Sequence, residues 1–274
     1  MPLRAPASTD DNAPVINGHS DASAGLLPIC TALAARVKEF LESEPETKLL
    51  KSMQEQTRVA LGVIDEALER YRFVNSQSAE QMDKERGEVG VEGTWLTFEI
   101  HSLEELSLSY NGGKDCLVLL VLLLVSLSNH RAAKSHSPAL PAKLQSVYII
   151  SPHPFTEVDS FVNDSVIKYS LNLARYAMPM KEAFKLYLEE YKDVKAILVG
   201  TRRTDPHGQT LTHFDATDKG WPAFMRVHPV IDWHYAEIWA VSTFSHPLFP
   251  LYPTAWMLIK EVYTTFRDPI LSPV

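Results

Sequence analysis

From Trp95 onward the chain alternates short apolar runs with helical patterns, and this alternation narrows its fold more than any other feature. Residues 103–110, "LEELSLSY", read as a strand, 114–128 as a helix, 144–150 as a strand and 155–168 as a helix. Residues 169–176 follow as a strand, 180–191 as a helix, 195–200 as a strand and 224–232 as the last one. Strands separated by helices of this length predict an α/β fold, a mostly parallel sheet with flanking helices and right-handed crossovers. Ligands in such sheets bind outside the carboxyl ends of the strands, so chemistry is expected just after Tyr110, Ile150, Tyr176 and Val199.

Before the sheet region, residues 26 to 73 carry a helical period: Met53, Thr57, Ala60, Leu61, Ile64, Ala67, Leu68 and Tyr71 recur at steps of three or four, with charged residues between them. This predicts an amphipathic helical extension docked on something. Four segments result: a disordered leader over 1–25, rich in Ser, Asp, Ala and Pro; the helical extension and a polar linker over 26–94; an α/β domain over 95–241; and a divergent segment over 242–274. Residues 130–143 read as an insertion.

Charge and cysteine content exclude several classes. A net charge of −8 over 274 residues argues against a broad nucleic-acid surface, while leaving room for a local anion pocket. Cys30 and Cys116 are the only cysteines, too few for a disulfide framework or a zinc site. The longest apolar run, 117–125, is nine residues, short of the roughly 18 to 20 that span a bilayer, and reads as a core helix. No targeting feature stands in the leader, so the expectation is a cytoplasmic protein with no membrane, nucleic-acid or obligate protein partner.

Two loops carry the chemistry. Asn111, Gly112 and Gly113 must turn the chain between a strand ending at Tyr110 and a helix beginning at Lys114, and glycines permit positive φ and close backbone approach. The first-turn amides of that helix favour phosphate; Lys114 adds a full charge, and Asp115 is able to accept hydrogen bonds or hold Mg²⁺. The loop lacks the spaced glycines and the Ser or Thr of a Walker A motif. At the next strand end, Arg202 and Arg203 precede Asp205-Pro206, and paired guanidinium forks suit phosphate or carboxylate. His153 and His213 lack metal-ligand spacing, and Arg175 reads as a structural ion-pair partner.

Ser109-Tyr110-Asn111-Gly112-Gly113-Lys114-Asp115-Cys116, then 200–206 ("GTRRTDP"), then Thr217-Asp218 with Gly220-Trp221-Pro222, then Met225-Arg226-Val227-His228-Pro229 and Asp232-Trp233 resemble, in order, the motifs of the eukaryotic FAD synthase family. These FMN adenylyltransferases belong to the phosphoadenylylsulfate-reductase-like group of ATP-using α/β folds. The resemblance implies transfer of AMP from ATP to the phosphate of FMN, with FAD and pyrophosphate as products and Mg²⁺ present. It implies Asn111, Lys114, Asp115, Arg202 and Asp205 as catalytic residues, with Asp115 and Asp205 as metal ligands. Tyr110, Asn111, Gly112, Gly113, Arg202, Arg203, Asp205, Asp218 and Trp221 would bind the substrates, Asp218 and Trp221 at the flavin ring, with adenine near Ile150 and Ser151 by analogy of fold.

Residues 242–274 depart from the family pattern: Tyr263-Thr264-Thr265 stands where a glycine-containing segment is expected, and Arg267 is the only arginine after Arg226. Two alternatives follow, a non-catalytic flavin- or nucleotide-binding remnant and a sulfonucleotide reductase relative. The second calls for a nucleophilic cysteine near the C-terminus, and none follows Cys116.

Overall fold

The structure, a computed structural model, describes residues 25–71, 104–133, 140–151 and 156–243. Six strands form one sheet in the order β3-β2-β1-β4-β6-β5. They are β1 (Leu106–Ser109), β2 (Leu144–Ile149), β3 (Leu171–Tyr176), β4 (Ala196–Leu198), β5 (Phe214–Ala216) and β6 (Met225–Val227). The first five in that order run parallel, and β5 pairs antiparallel with β6 at the edge. The expected α/β class with a mostly parallel sheet is what the chain adopts.

Side-chain alternation decides which face each residue covers. Leu144 and Tyr148 of β2 join the larger core with Leu106 and Leu108 of β1, whereas Val147 and Ile197 point the other way into a smaller cluster. Helices α3 (Lys114–Ala132) and α4 (Thr156–Lys168) contribute to the larger core, and α5 (Met180–Glu190) covers the opposite face through Phe184 and Tyr187. The strand order reverses between β1 and β4, which makes their shared carboxyl end the topological switch point.

Helix α3 is apolar nearly all round and has 12 buried residues between its ends. By length and composition it would pass for a membrane span. Here its outer face is covered by α1 (Leu27–Glu42), α2 (Lys48–Tyr71) and α6 (Tyr235–Thr243), so an all-apolar helix is satisfied inside a layered protein.

The helical extension is two helices rather than one continuous pattern. Pro45, with no N–H to donate, lies in the break, and Thr47 Oγ1 accepts the Leu50 amide at 3.1 Å to start α2. Gln54 Nε2 donates to the Phe40 and Ser43 carbonyls at 2.7 and 2.8 Å, satisfying the end of α1 from the neighbouring helix. The strand expected over 224–232 shortens to Met225–Val227, because Pro229 cannot donate to a ladder and 229–232 turn instead. Strand β5 and helix α6 were not expected, and α3 runs into the stretch read as an insertion. The leader over 1–25 lies, except for Gly25, outside the described residues, as do the polar linker and residues 244–274.

Candidate active site

The turn after β1 is built by its own side chains. Asn111 Oδ1 accepts the Gly113 amide at 2.9 Å, which folds the loop back on itself. Gly112 adopts φ +75°, and a Cβ there would stand 2.7 Å from Val162 Cγ2 on α4, so a side chain is excluded both by conformation and by space. Gly113 caps α3 with no side-chain hydrogen bond, which leaves first-turn amides facing the strand ends.

The β4 loop approaches this turn closely. A Cβ on Gly200 would lie 3.0 Å from the Cys116 amide nitrogen and 3.2 Å from the Asp115 carbonyl carbon, so a side chain here would crowd the α3 backbone, and glycine lets the two backbones meet closely. That approach delivers Arg202, which is 6% exposed, to two carboxylates. Its Nε stands 3.0 Å from Asp115 Oδ1, a close ion contact without hydrogen-bond alignment, and its Nη2 donates to Asp205 Oδ1 at 2.9 Å. The Arg202 amide also donates to Asp205 Oδ2 at 2.9 Å. Lys114 Nζ reaches Asp115 Oδ2 at 3.2 Å, completing a part-buried cluster of two cations and two anions at the switch point.

Magnesium fits this donor set in one specific way. Among the described residues no group of three or more His, Cys, Asp or Glu converges on a metal position. Mg²⁺ commonly keeps waters and is held by one or two carboxylates together with substrate phosphates, and Asp115 and Asp205, gathered by one guanidinium, supply that pair. The residues suit an ion carried in by a polyphosphate better than a dedicated protein cage.

Several expected site residues have structural partners instead. Tyr110 is fully buried and donates to Ser165 Oγ at 2.8 Å, tying β1 to α4 rather than facing a ligand. Arg203 Nε donates to Asp232 Oδ1 at 2.6 Å and Nη1 donates to the Leu211 carbonyl at 2.8 Å, so its fork fastens the loop to the 229–232 turn. That guanidinium holds the Asp232 carboxyl below the usual carboxylate range. Arg175 donates to Asn163 Oδ1 at 2.7 Å, an amide partner in place of the expected ion pair. The Ile150 amide donates to the Tyr176 carbonyl at 2.9 Å and continues the sheet. Cys116 lies under the β4 loop, where burial first and the Asp115 charge next push its thiol up to about 12, which leaves it no nucleophilic character at neutral pH.

Asp218 and Trp221 do not join the cluster. They occupy the turn between β5 and β6, and because β6 runs parallel to β4, that turn lies at the amino end of β6, the edge opposite Arg202. The turn is fixed by Thr217 Oγ1 donating to the Pro222 carbonyl at 2.8 Å and by Gly220 at φ +87°. Asp218 is held loosely, 3.5 Å from Arg226 Nη1, and Trp221 is 39% exposed. A cavity of about 500 Å³ lined by Glu104, Lys143, Gln145, Glu190 and Tyr191 also lies at the amino edge, away from the charge cluster.

Sequence reasoning missed four participants. Tyr235 and Trp239 of α6 stand beside Lys114, and Gly208 supports the Arg202 loop. His228, 1% exposed at the end of β6, is the fourth: burial lowers its pKa to about 4, opposed by Asp215 and assisted by Arg226 and His213. The unfolded chain takes up a proton below 6.5 and the folded one only near 4, so stability is full above 6.5 and falls as pH drops through that window. The loss expected is about 3 kcal/mol. Urea titrations across this range should show the decline, and His228→Phe should remove most of that contribution; an unchanged slope would dissociate His228 from it.

The fold is an α/β one with a mostly parallel sheet and a charge cluster at its switch point, and residues 174–259 match the phosphoadenosine phosphosulfate reductase domain. Over 176 residues the chain is 41% identical to a probable FAD synthase of Schizosaccharomyces pombe, covering 64% of this chain and 66% of that protein. It superposes with a TM-score of 0.65 and 27% identity on the crystal structure of Candida glabrata FMN adenylyltransferase in complex with FAD and inorganic pyrophosphate, covering 81% of this chain and 66% of that one. The same enzyme in complex with FMN and the ATP analogue AMPCPP gives a TM-score of 0.62 over 81% and 66%. Over these shared regions the chain is similar to the eukaryotic FAD synthases. It spans 66% of the length of the fission-yeast relative, just under two thirds.

Proposed function

We propose that the protein transfers AMP from ATP to FMN. A phosphate oxygen of FMN attacks the α-phosphorus of ATP, the bond from that phosphorus to the bridging oxygen of the β-phosphate breaks, and pyrophosphate leaves with FAD formed. The observation that carries this reading is the Lys114, Asp115, Arg202 and Asp205 cluster at the β1/β4 switch point, supplied by two loops that glycines bring together. Nucleotidyl transfer asks a protein mainly for positioning and charge neutralisation. Lys114 and Arg202 answer the negative charge of the triphosphate, and the first-turn amides of α3 orient it. Asp115 and Asp205 would hold Mg²⁺, which when bound neutralises charge on the phosphates.

FMN has to serve both sheet edges under this reading. Its phosphate is required at the charge cluster, while Trp221 and Asp218 are offered to the ring at the amino end of β6. Three-residue strands separate those edges by only roughly 10 Å, and the ribityl chain of FMN is an extended linker of its own. Trp221→Ala should weaken FMN about tenfold through lost stacking and leave ATP affinity near native, as read by flavin fluorescence titration. Unchanged FMN affinity would reduce Trp221 to an exposed loop aromatic.

The test of the function mixes the full chain with FMN, ATP and Mg²⁺ and separates flavins by chromatography. FAD with stoichiometric pyrophosphate is expected. Folded protein that binds FMN and ATP yet makes no FAD would replace this reading with that of a binding remnant.

A further inference from the structure

A lysine in the first turn of a helix sits at the positive end of the helix dipole and ordinarily extends into water. Lys114 does neither freely: its side chain is 13% exposed, with Nζ 3.2 Å from Asp115 Oδ2, 5.5 Å from the centre of the Tyr235 ring and 6.0 Å from that of Trp239. Both distances fall within the range in which a ring face attracts an ammonium. The two aromatics are four residues apart on α6 and therefore share a face, with their rings edge-on at 5.6 Å. Their helix is itself pinned. Glu237, 2% exposed, accepts the His234 amide at 2.7 Å and the hydroxyl of Ser52 on α2. Tyr235 is 47% exposed, a large aromatic left open to solvent beside the charge cluster.

We propose that Tyr235 and Trp239 are positioning residues that hold the Lys114 ammonium at the edge where the nucleotide phosphates bind, with α2 fixing α6 for that purpose. The inference rests on the reading of that edge as the ATP site. Its physical content is restriction: an unheld lysine samples many rotamers, and confining it before the ligand arrives lowers the entropy lost on binding. Tyr235→Leu keeps bulk and removes the ring, whereas Tyr235→Phe keeps the ring face and removes only the hydroxyl. The exposure of Tyr235 allows both changes without disturbing the core.

The experiment has two readouts on the full chain. Limiting acetic anhydride labels each amine at a rate read by mass spectrometry, and Lys114 should react several-fold faster in Tyr235→Leu than in the parent protein, while Tyr235→Phe restores the slow rate. Lysines away from α6, such as Lys195, should be unchanged and report that the fold is intact. Calorimetry should then show ATP affinity about threefold to tenfold weaker in Tyr235→Leu and restored in Tyr235→Phe. Equal Lys114 labelling in the parent and Tyr235→Leu overturns the proposal, as does failure of Tyr235→Phe to restore the slow rate. Should the parent bind no ATP while the labelling pattern holds, the positioning stands and the nucleotide reading falls.

Discussion

Asp115→Ala is expected to lower FAD formation by at least about a hundredfold, the usual cost of deleting one preorganised electrostatic group from a transfer site. The structure explains why the loss should be large. Among the described residues Asp115 is the one that touches both cations of the cluster, Arg202 at 3.0 Å and Lys114 at 3.2 Å, and under the proposed function it would be one of the two carboxylates offered to a phosphate-borne metal. Removing it leaves Arg202, buried, with only Asp205 as a counter-charge among the described residues. Breaking a buried ion pair from one side commonly costs about 3–5 kcal/mol, and retention of Asp205 puts the expected loss at the low end. The two effects are separated by Asp115→Asn, which keeps an acceptor oxygen and the side-chain shape while removing the charge. It should melt close to the parent and remain nearly inactive in the flavin assay. A well-folded Asp115→Asn with near-native turnover would remove the charge and metal role from this residue.

The sheet was legible because its strands obey simple rules over several residues. In β2, Leu144 and Tyr148 face one core while Val147 faces the other, and the helices between strands are long enough to read as crossovers. The two loops at the switch point were legible for a related reason: glycine-rich turns and paired charges directly after a strand have few purposes at that edge. What escaped was short or depended on distant pairing. Strand β5 is three residues with Asp215 at its centre, and it exists because β6 offers an edge and Asp215 accepts the Thr212 amide at 2.7 Å. Without β5 the edge at which the following turn lies is not legible, and the topology puts Asp218 and Trp221 at the amino end of β6, opposite Arg202. Helix α6 hid for the opposite reason, being apolar on most sides and too short for its period to stand out. Arg203 read as an anion ligand because sequence shows a charge but not its partner, and Asp232 is 29 positions away.

The Arg202 loop has a support that no motif announced, and Gly208→Ala is expected to break it. A Cβ at Gly208 would lie 2.2 Å from the Arg202 carbonyl oxygen, 3.2 Å from that carbonyl carbon and 3.1 Å from the Asp205 carbonyl oxygen. All three are backbone atoms, so no rotamer change relieves the overlap, and the loop itself has to move. It is already constrained: His207 holds φ +65°, costly for a residue with a side chain, the Gly208 amide donates to Asp205 at 2.9 Å, and the Leu211 amide donates back to Gly208 at 3.2 Å. Overpacking of this kind costs about 1–3 kcal/mol or more, a fall of several degrees in melting temperature for a chain of this size. The larger effect should be on turnover. A shift of about 1 Å in the Arg202 carbonyl carries with it the guanidinium that gathers Asp115 and Asp205, and a misplacement of that order costs about a hundredfold in rate. Gly62→Ala supplies the contrast, since that glycine lies exposed on α2 with nothing within 4 Å of the added carbon and alanine is the better helix former. It should melt slightly higher and turn over normally. If Gly208→Ala matched it in both measurements, the 202–211 loop would be pliant, and the placement of Asp205 would have to come from Arg202 and Asp115 alone.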